Sequence, residues 1–151
     1  MTKDILLKIS VLHFTADNGD PDEPEPVEII APGEYYFKNG KHYIMYEEVM
    51  EGFDGVTKNV LKLKDDSLEI TKRGSSNVHM VFEKDKKNMT CYTTPFGSLM
   101  MGIDAHSISI EESDREIQAH IEYALDINYE HLADCTIHLS VQSKEQSGFS
   151  L

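Results

Sequence analysis

The sequence has no tryptophan, only two cysteines and few basic residues, and each shortage limits what the protein can be. Its 14 Lys and Arg face 27 Asp and Glu, a formal net charge of -13, which repels phosphate backbones and anionic lipid surfaces. We therefore expect neither nucleic acid nor a membrane as a partner. The lack of Trp weakens the case for a carbohydrate platform. Cys91 and Cys135 fit a reducing compartment, and we expect both to be buried thiols outside a disulfide.

The sequence also lacks a recognisable targeting segment. Its first ten residues carry charges at Lys3, Asp4 and Lys8 and contain no long apolar core, which predicts neither a signal peptide nor a spanning helix. We expect a cytoplasmic protein. At 151 residues the chain suits one domain, so we predict a single β-barrel domain over residues 1–143 and a polar C-terminal tail over 144–151.

Motifs for catalysis, metal binding and cofactor binding are missing. There is no Gly-x-Ser-x-Gly elbow, phosphate loop, dinucleotide fingerprint, His-x-x-x-His pair or Cys-x-x-Cys pair. Adjacent carboxylates such as Glu47 and Glu48 point to opposite faces of a strand, so they cannot act on one substrate as a facing acid/base pair. We predict no catalytic residue, no metal site and no cofactor. A cofactor-free enzyme with an unrecognised site is a weaker alternative.

What the sequence has in abundance is the pattern of a β-strand. Asn39 and Gly40 separate two aromatic-rich runs, which is the strongest short signal of a β-hairpin. Residues 117–128 alternate apolar and polar side chains, and residues 135–141 repeat this alternation. In both segments the apolar residues are the odd-numbered ones. Pairing them on one face therefore requires a loop of odd length or a β-bulge near residues 128–134.

Turn residues divide the rest of the chain into further short segments. The predicted strands are 5–14, 27–37, 41–51, 56–63, 68–73, 78–83, 89–93, 98–110, 117–128 and 135–141. No persuasive amphipathic helix interrupts them, and most connections have the length of a hairpin. The pattern predicts an all-β fold, an antiparallel up-and-down β-barrel of about ten strands. Residues 16–26 are acidic and Pro-rich, which excludes a central strand there.

Several short motifs, in this order and spacing, carry a family resemblance over nearly the whole chain. They are Gly33–Tyr36, Asn39–Lys41, Tyr46–Glu48, Arg73 with Gly74, Met80 with Phe82, and Tyr92–Gly97. The chain resembles the YwiB-like bacterial family, a domain of unknown function with a lipocalin-like (calycin) β-barrel. The resemblance implies that fold and a cytoplasmic bacterial setting, and it supplies no catalytic residues.

A closed barrel of this size either is filled by side chains or holds one small ligand, and the sequence leaves both alternatives open. The aromatic, thioether and cationic residues that we nominate for a ligand at the barrel interior or mouth are Tyr36, Tyr46, Arg73, Met80, Tyr92 and Phe96. Arg73 shares a face with Glu69 and Thr71, which favours an exposed position or a cross-strand ion pair. Tyr35 and Tyr36 point to opposite faces, so at most one of them lines a cavity.

The leading hypothesis is a barrel that binds a small apolar or amphipathic ligand. The alternative is a solid barrel that acts as a protein-interaction or assembly module. A strand edge left by incomplete closure, or an exposed aromatic patch, would support a homodimer.

Overall fold

The computed structural model describes residues 3–14, 27–49, 55–74 and 77–144, which form ten antiparallel strands. The strands are β1 (Asp4–Phe14), β2 (Val27–Lys38), β3 (Lys41–Val49), β4 (Val56–Lys64), β5 (Ser67–Arg73), β6 (Val78–Glu83), β7 (Lys86–Thr94), β8 (Gly97–Glu112), β9 (Glu116–Ile127) and β10 (Glu130–Ser143). Their order in the sheet is β6-β5-β4-β3-β2-β1-β10-β9-β8-β7. Apart from β6 and β7, which stand at the two ends of this order, consecutive strands are neighbours, and the chain folds as a nearly closed up-and-down barrel, which confirms the predicted fold class.

The predicted strands all exist, and most of the differences are at their ends. β6 has the predicted bounds, whereas β7 begins three residues earlier than expected, at Lys86. The lysines at the start of β7 looked like a turn in the sequence, but their long side chains stay solvated while the backbone pairs with β8. The acidic segment 16–26 and residues 145–151 lie outside the described residues. No helix in the described ranges is long and apolar enough to cross a membrane.

Two hairpins use the same kind of turn. Asn39 and Gly40 have φ values of 54° and 74°, and Asn128 and Tyr129 have values of 50° and 71°, so both pairs fit a type I′ turn. A two-residue turn at 128–129 would by itself put one apolar set outside. The register shifts at Leu132, between His131 and Ala133, and this bulge restores the pairing of the two apolar sets. The predicted bulge is therefore confirmed.

The centre of the barrel is filled by apolar side chains. Residues of alternating parity point inward, and Leu7, Ile44, Leu61 and many others are essentially inaccessible to solvent. Phe82 of β6 packs edge-on against Tyr123 of β9, with ring centroids 4.9 Å apart. Each fully buried aliphatic side chain contributes roughly 1.5–3 kcal/mol, so this packing accounts for most of the favourable free energy of folding. A ligand would have to bind away from this centre.

The barrel wall is interrupted between β2 and β3. These strands pair only from Glu34–Met45 to Lys38–Lys41, and no pairing joins Val27–Gly33 to Tyr46–Val49 within the described ranges. The Tyr35 amide donates to the Lys3 carbonyl on the β1 side. Backbone amides alternate sides along a strand, so the nitrogen of Pro32, three residues earlier, faces β3. Proline has no amide hydrogen, so it cannot donate a hydrogen bond to β3 there. We call this interruption the β2/β3 gap.

At the edge of the gap the two backbones pass very close to each other. A Cβ atom on Gly33 would lie 2.6 Å from the carbonyl oxygen of Met45, closer than such atoms approach in proteins. Glycine is therefore required where the strands begin to separate.

A second interruption separates β6 from β7, which are joined by a tight turn. Asn77, just before β6, exchanges backbone hydrogen bonds of 2.8 and 2.9 Å with Thr93. At the other end, the Asn88 side chain donates to the Val81 carbonyl at 3.2 Å. No continuous ladder of backbone pairs connects the two strands in the part of the chain that is described. We call this line the β6/β7 seam.

Candidate functional site

The neighbouring tyrosines of β2 have opposite environments, as strand alternation requires. Tyr35 points inward and lies 2.6 Å, hydroxyl to Nδ1, from His42. Tyr36 points outward, is 39% exposed, and donates its hydroxyl to Glu34 at 2.9 Å, while Lys3 lies 5.5 Å from its ring centroid. The inward member of the pair is therefore Tyr35, and the nominated Tyr36 does not line the interior.

The other nominated residues divide between the interior and the surface. Tyr46 is buried, and Met80 and Tyr92 pack against the core from inward-facing positions. Arg73 is exposed on the outer face, where its parity relative to Thr71 places it. Phe96 is 86% exposed because it lies in the β7–β8 turn, where strand alternation no longer applies.

One end of the interior is polar. The inward-facing positions where β3 ends, β4 begins and β5 ends form what we call the polar interior cluster: Tyr46, Glu48, Thr57, Asn59 and Lys72. Apart from Tyr46, sequence reasoning missed these residues, because polar side chains were assigned to the solvent. A signal was present, since Lys72 is in phase with Leu68 and Ile70, which face the core.

Three members of the cluster interact with one another electrostatically. The Lys72 ammonium lies 2.8 Å from Oε1 of Glu48, and both side chains are partly buried. Burial raises the pKa of Tyr46 well above its usual value, and the charge and hydrogen bonding of Glu48 raise it further. Tyr46 therefore ionises less readily than an exposed tyrosine.

Asn59 lies beside them and is only 1% exposed. Its Nδ2 donates to the Thr57 carbonyl at 3.3 Å, whereas its Oδ1 has no hydrogen-bond partner among the described residues. An unsatisfied buried acceptor costs about 1–3 kcal/mol. A polar group from outside the protein would relieve that cost by donating a hydrogen bond to this oxygen.

A cavity of about 470 Å³ lies at the β2/β3 gap, next to Asn59. Tyr46 and Asn59 line it from the inward-facing set, and Pro32, Met45 and Val60 contribute apolar surface from the outward-facing set. Glu34 and Glu47 add negative charges at its wall, and Lys58 adds a positive one. Apolar surface next to an unpaired acceptor suits a ligand with both an apolar and a hydrogen-bonding part.

The opposite end of the barrel holds a second polar network, which sequence reasoning also missed. Nε2 of His42 lies 2.5 Å from Oε2 of Glu112, and its Nδ1 faces the Tyr35 hydroxyl. Burial raises the pKa of Tyr35, and the Glu112 charge adds to this effect. Both imidazole nitrogens are occupied, so the network ties β3 to β8 and leaves no donor for a ligand. Glu112 lies 70 positions from His42, and no local pattern connects the two.

Among the side chains that the structure describes, the cysteines and the remaining histidines do not form a site. Cys135 is buried as expected and burial raises the pKa of its thiol, whereas Cys91 is exposed on the outer face of β7, which corrects the expectation for that residue. His120 and His138 lie on the outer face with ring centroids 6.2 Å apart. Across the described ranges, no group of three or more His, Cys, Asp or Glu side chains is arranged to hold a metal ion.

Comparison with known proteins gives a consistent result. The family model described as "Domain of unknown function (DUF1934)" matches residues 9–139. The curated "Uncharacterized beta-barrel protein YwiB" of Bacillus subtilis (strain 168) is 25% identical over 128 residues, which cover 83% of this chain and 89% of that protein. The crystal structure of the ywiB protein from Bacillus subtilis superposes with a TM-score of 0.75 at 20% identity, over 93% of this chain and 92% of that one. At that identity, the structural likeness establishes the fold alone.

Proposed function

This chain belongs to the DUF1934 family, whose function is unknown, and from its own geometry we propose that it is a β-barrel protein that binds one small amphipathic ligand at the β2/β3 gap. The observation that carries the proposal is the buried Oδ1 of Asn59, which has no partner among the described residues, next to a cavity of about 470 Å³. Buried polar atoms in folded proteins are nearly always hydrogen-bonded, so an orphaned acceptor on a residue that lines a cavity supports a missing donor, which reaches this oxygen when the Asn59 side chain turns toward the cavity.

The shape of the site defines the chemistry of the ligand. The cavity volume lies within the range of small-molecule sites, roughly 300–1,000 Å³. A hydroxyl, amide or ammonium group of the ligand donates to Asn59, and an apolar portion lies against Pro32, Met45 and Val60. The ligand therefore enters through the wall and does not occupy the packed centre of the barrel.

A second candidate function is the interaction module. Three apolar side chains close to the gap are strongly exposed, namely Ile30 at 63%, Val49 at 77% and Val56 at 41%. Exposed apolar surface beside unpaired strand edges favours docking of another protein chain or a second copy of this one. This function and ligand binding compete for the same region, so one experiment separates them.

The experiment is native mass spectrometry of the protein purified from its own host. We expect wild type to carry the additional mass of one small molecule and Asn59→Leu to have lost it. Asn88→Leu is the matched control: it removes an amide that bonds Val81 on the seam, far from the gap, and it should retain the ligand. A bare monomer mass for wild type, or an additional mass that survives in Asn59→Leu, contradicts the proposal. A complex with another chain and no small molecule supports the second candidate.

A further inference from the structure

The β6/β7 seam carries a site of a different kind. A cavity of about 740 Å³ opens over the stretch where β6 and β7 lack a continuous ladder. Lys62, Lys72, Arg73 and His79 line it, against a single carboxylate, Glu69. The chain as a whole has nearly twice as many acidic as basic residues, so the charge at this cavity is opposite in sign to the net charge of the protein.

The ion pairs at the cavity leave two cations available. Glu69 lies 3.3 Å from Nε2 of His79, and Lys72 is paired with Glu48 of the interior. Lys62 faces a ring rather than a carboxylate, with its ammonium 5.7 Å from the Tyr43 centroid. Lys62 and Arg73 form no ion pair with any described residue.

The backbone beside Arg73 is held in one position. Gly74 has a φ of 146°, and a Cβ atom on it would lie 2.4 Å from the Val56 carbonyl oxygen. The Asn77 side chain donates to the Gly74 carbonyl at 3.0 Å and accepts from the Gly74 amide at 3.2 Å. The hydrogen bonds from Asn77 and the close approach of Gly74 to β4 fix the point from which the guanidinium extends, which lowers the entropy lost when it binds an anion.

Hydroxyl groups complete the lining. Thr71, Thr90 and Thr93 lie around the same cavity and supply neutral donors. Lys62 is opposite Glu69 in the register of β4 and β5, and Arg73 is four residues further along β5, which separates the two cations by about 13 Å along the sheet. Two cations that far apart engage a ligand with several anionic groups better than a single phosphate.

We propose that the β6/β7 seam is a binding site for a small polyphosphorylated molecule. Arg73 clamps one phosphate through its planar fork, and Lys62 neutralises a second. The threonine hydroxyls bond the oxygens between them. This site is separate from the β2/β3 gap and does not depend on the function proposed there.

The test is isothermal titration calorimetry at about 0.15 M salt, where screening leaves mainly short-range contacts. The probes are sodium tripolyphosphate, orthophosphate and citrate. We expect tripolyphosphate to bind one to one, and orthophosphate and citrate to bind at least tenfold more weakly. Arg73→Gln and Lys62→Gln should each weaken tripolyphosphate binding about tenfold, as expected for the loss of one charge-assisted contact. These side chains are solvent-accessible, so the variants should fold, which circular dichroism checks.

Two controls make the result specific. Lys64→Gln removes the same charge from the same strand outside the cavity and should change the affinity less than twofold. Asn59→Leu should bind tripolyphosphate like wild type, which separates this site from the gap. The proposal is overturned if wild type shows no saturable binding, if citrate binds as tightly as tripolyphosphate, or if Lys64→Gln weakens binding as much as Arg73→Gln.

Discussion

Replacing Asn59 with leucine should stabilise the ligand-free protein. The side chain is 1% exposed, and its Oδ1 has no partner among the described residues. Removing such an acceptor recovers about 1–3 kcal/mol of desolvation cost. The substitution also removes the 3.3 Å bond to the Thr57 carbonyl, which is long and contributes about 0.5–1.5 kcal/mol. Leucine has the same number of side-chain heavy atoms but a larger volume, and the cavity that Asn59 lines leaves room for its methyl groups. The net expectation is a free energy of unfolding about 1 kcal/mol higher than wild type.

Urea unfolding of protein that has first been unfolded and refolded, to remove any bound ligand, measures this difference. The midpoint should rise with an unchanged m value, and the melting temperature should increase by roughly 2–4 °C, the shift expected per kcal/mol for a domain of this size. Asn88→Leu is the matched control. It breaks the 3.2 Å bond to Val81 without removing an orphaned acceptor, so it should lose about 1 kcal/mol.

A destabilised Asn59→Leu variant would refute this reasoning. A loss of about 1 kcal/mol or more would mean that Oδ1 is already satisfied in solution, for example by a buried water molecule. The inference of a missing ligand donor would then lose its support. If instead the free energy of unfolding rises in Asn59→Leu and falls in Asn88→Leu, the interior retains the Asn59 amide at the expense of stability, as binding sites commonly do.

Two other changes test the packing of the barrel. Gly74→Ala should lower the free energy of unfolding by more than about 2 kcal/mol for two reasons. The new Cβ would lie 2.4 Å from the Val56 carbonyl oxygen, and alanine would have to adopt a strained positive φ. Gly55→Ala, with positive φ but open space, should cost less in the same urea experiment, and equal losses would contradict the steric argument. Burial raises the pKa of Tyr123 far above its ordinary value of 10, so the folded state retains a proton that the unfolded state releases. Stability should therefore fall above about pH 10, by roughly 1.4 kcal/mol per pH unit for this tyrosine, and Tyr123→Phe should show a slope shallower by that amount.

The strands were predictable because their signals are local. Asn39 and Gly40 mark a turn whatever the rest of the chain does, and alternation assigns each residue a face relative to its neighbours on the same strand. Parity required either an odd-length loop or a bulge, since two apolar sets with odd numbers cannot pair across a two-residue turn, and the structure has the bulge, at Leu132.

The candidate site was predicted only in part, and the errors have a common cause. Tyr46 was nominated and is in the polar interior cluster. Arg73 was nominated too, but its neighbour Lys72 is the residue that belongs to the cluster. Lys72 was not considered, although its phase places it inward, where Glu48 on another strand neutralises it. The partner that permits burial is 24 residues away and leaves no local trace.

The sequence by itself therefore determined the number of strands, their meandering order and the face on which most side chains lie, because each depends on neighbours along the chain. Only the tertiary structure decided where the wall stays open. The β2/β3 gap depends on how Pro32 and Gly33 meet Met45 on another strand, and the seam depends on how the two ends of a ten-stranded sheet meet. Register between distant segments, and not composition, places an amide oxygen beside one opening and two cations beside the other, none of them paired with a described residue.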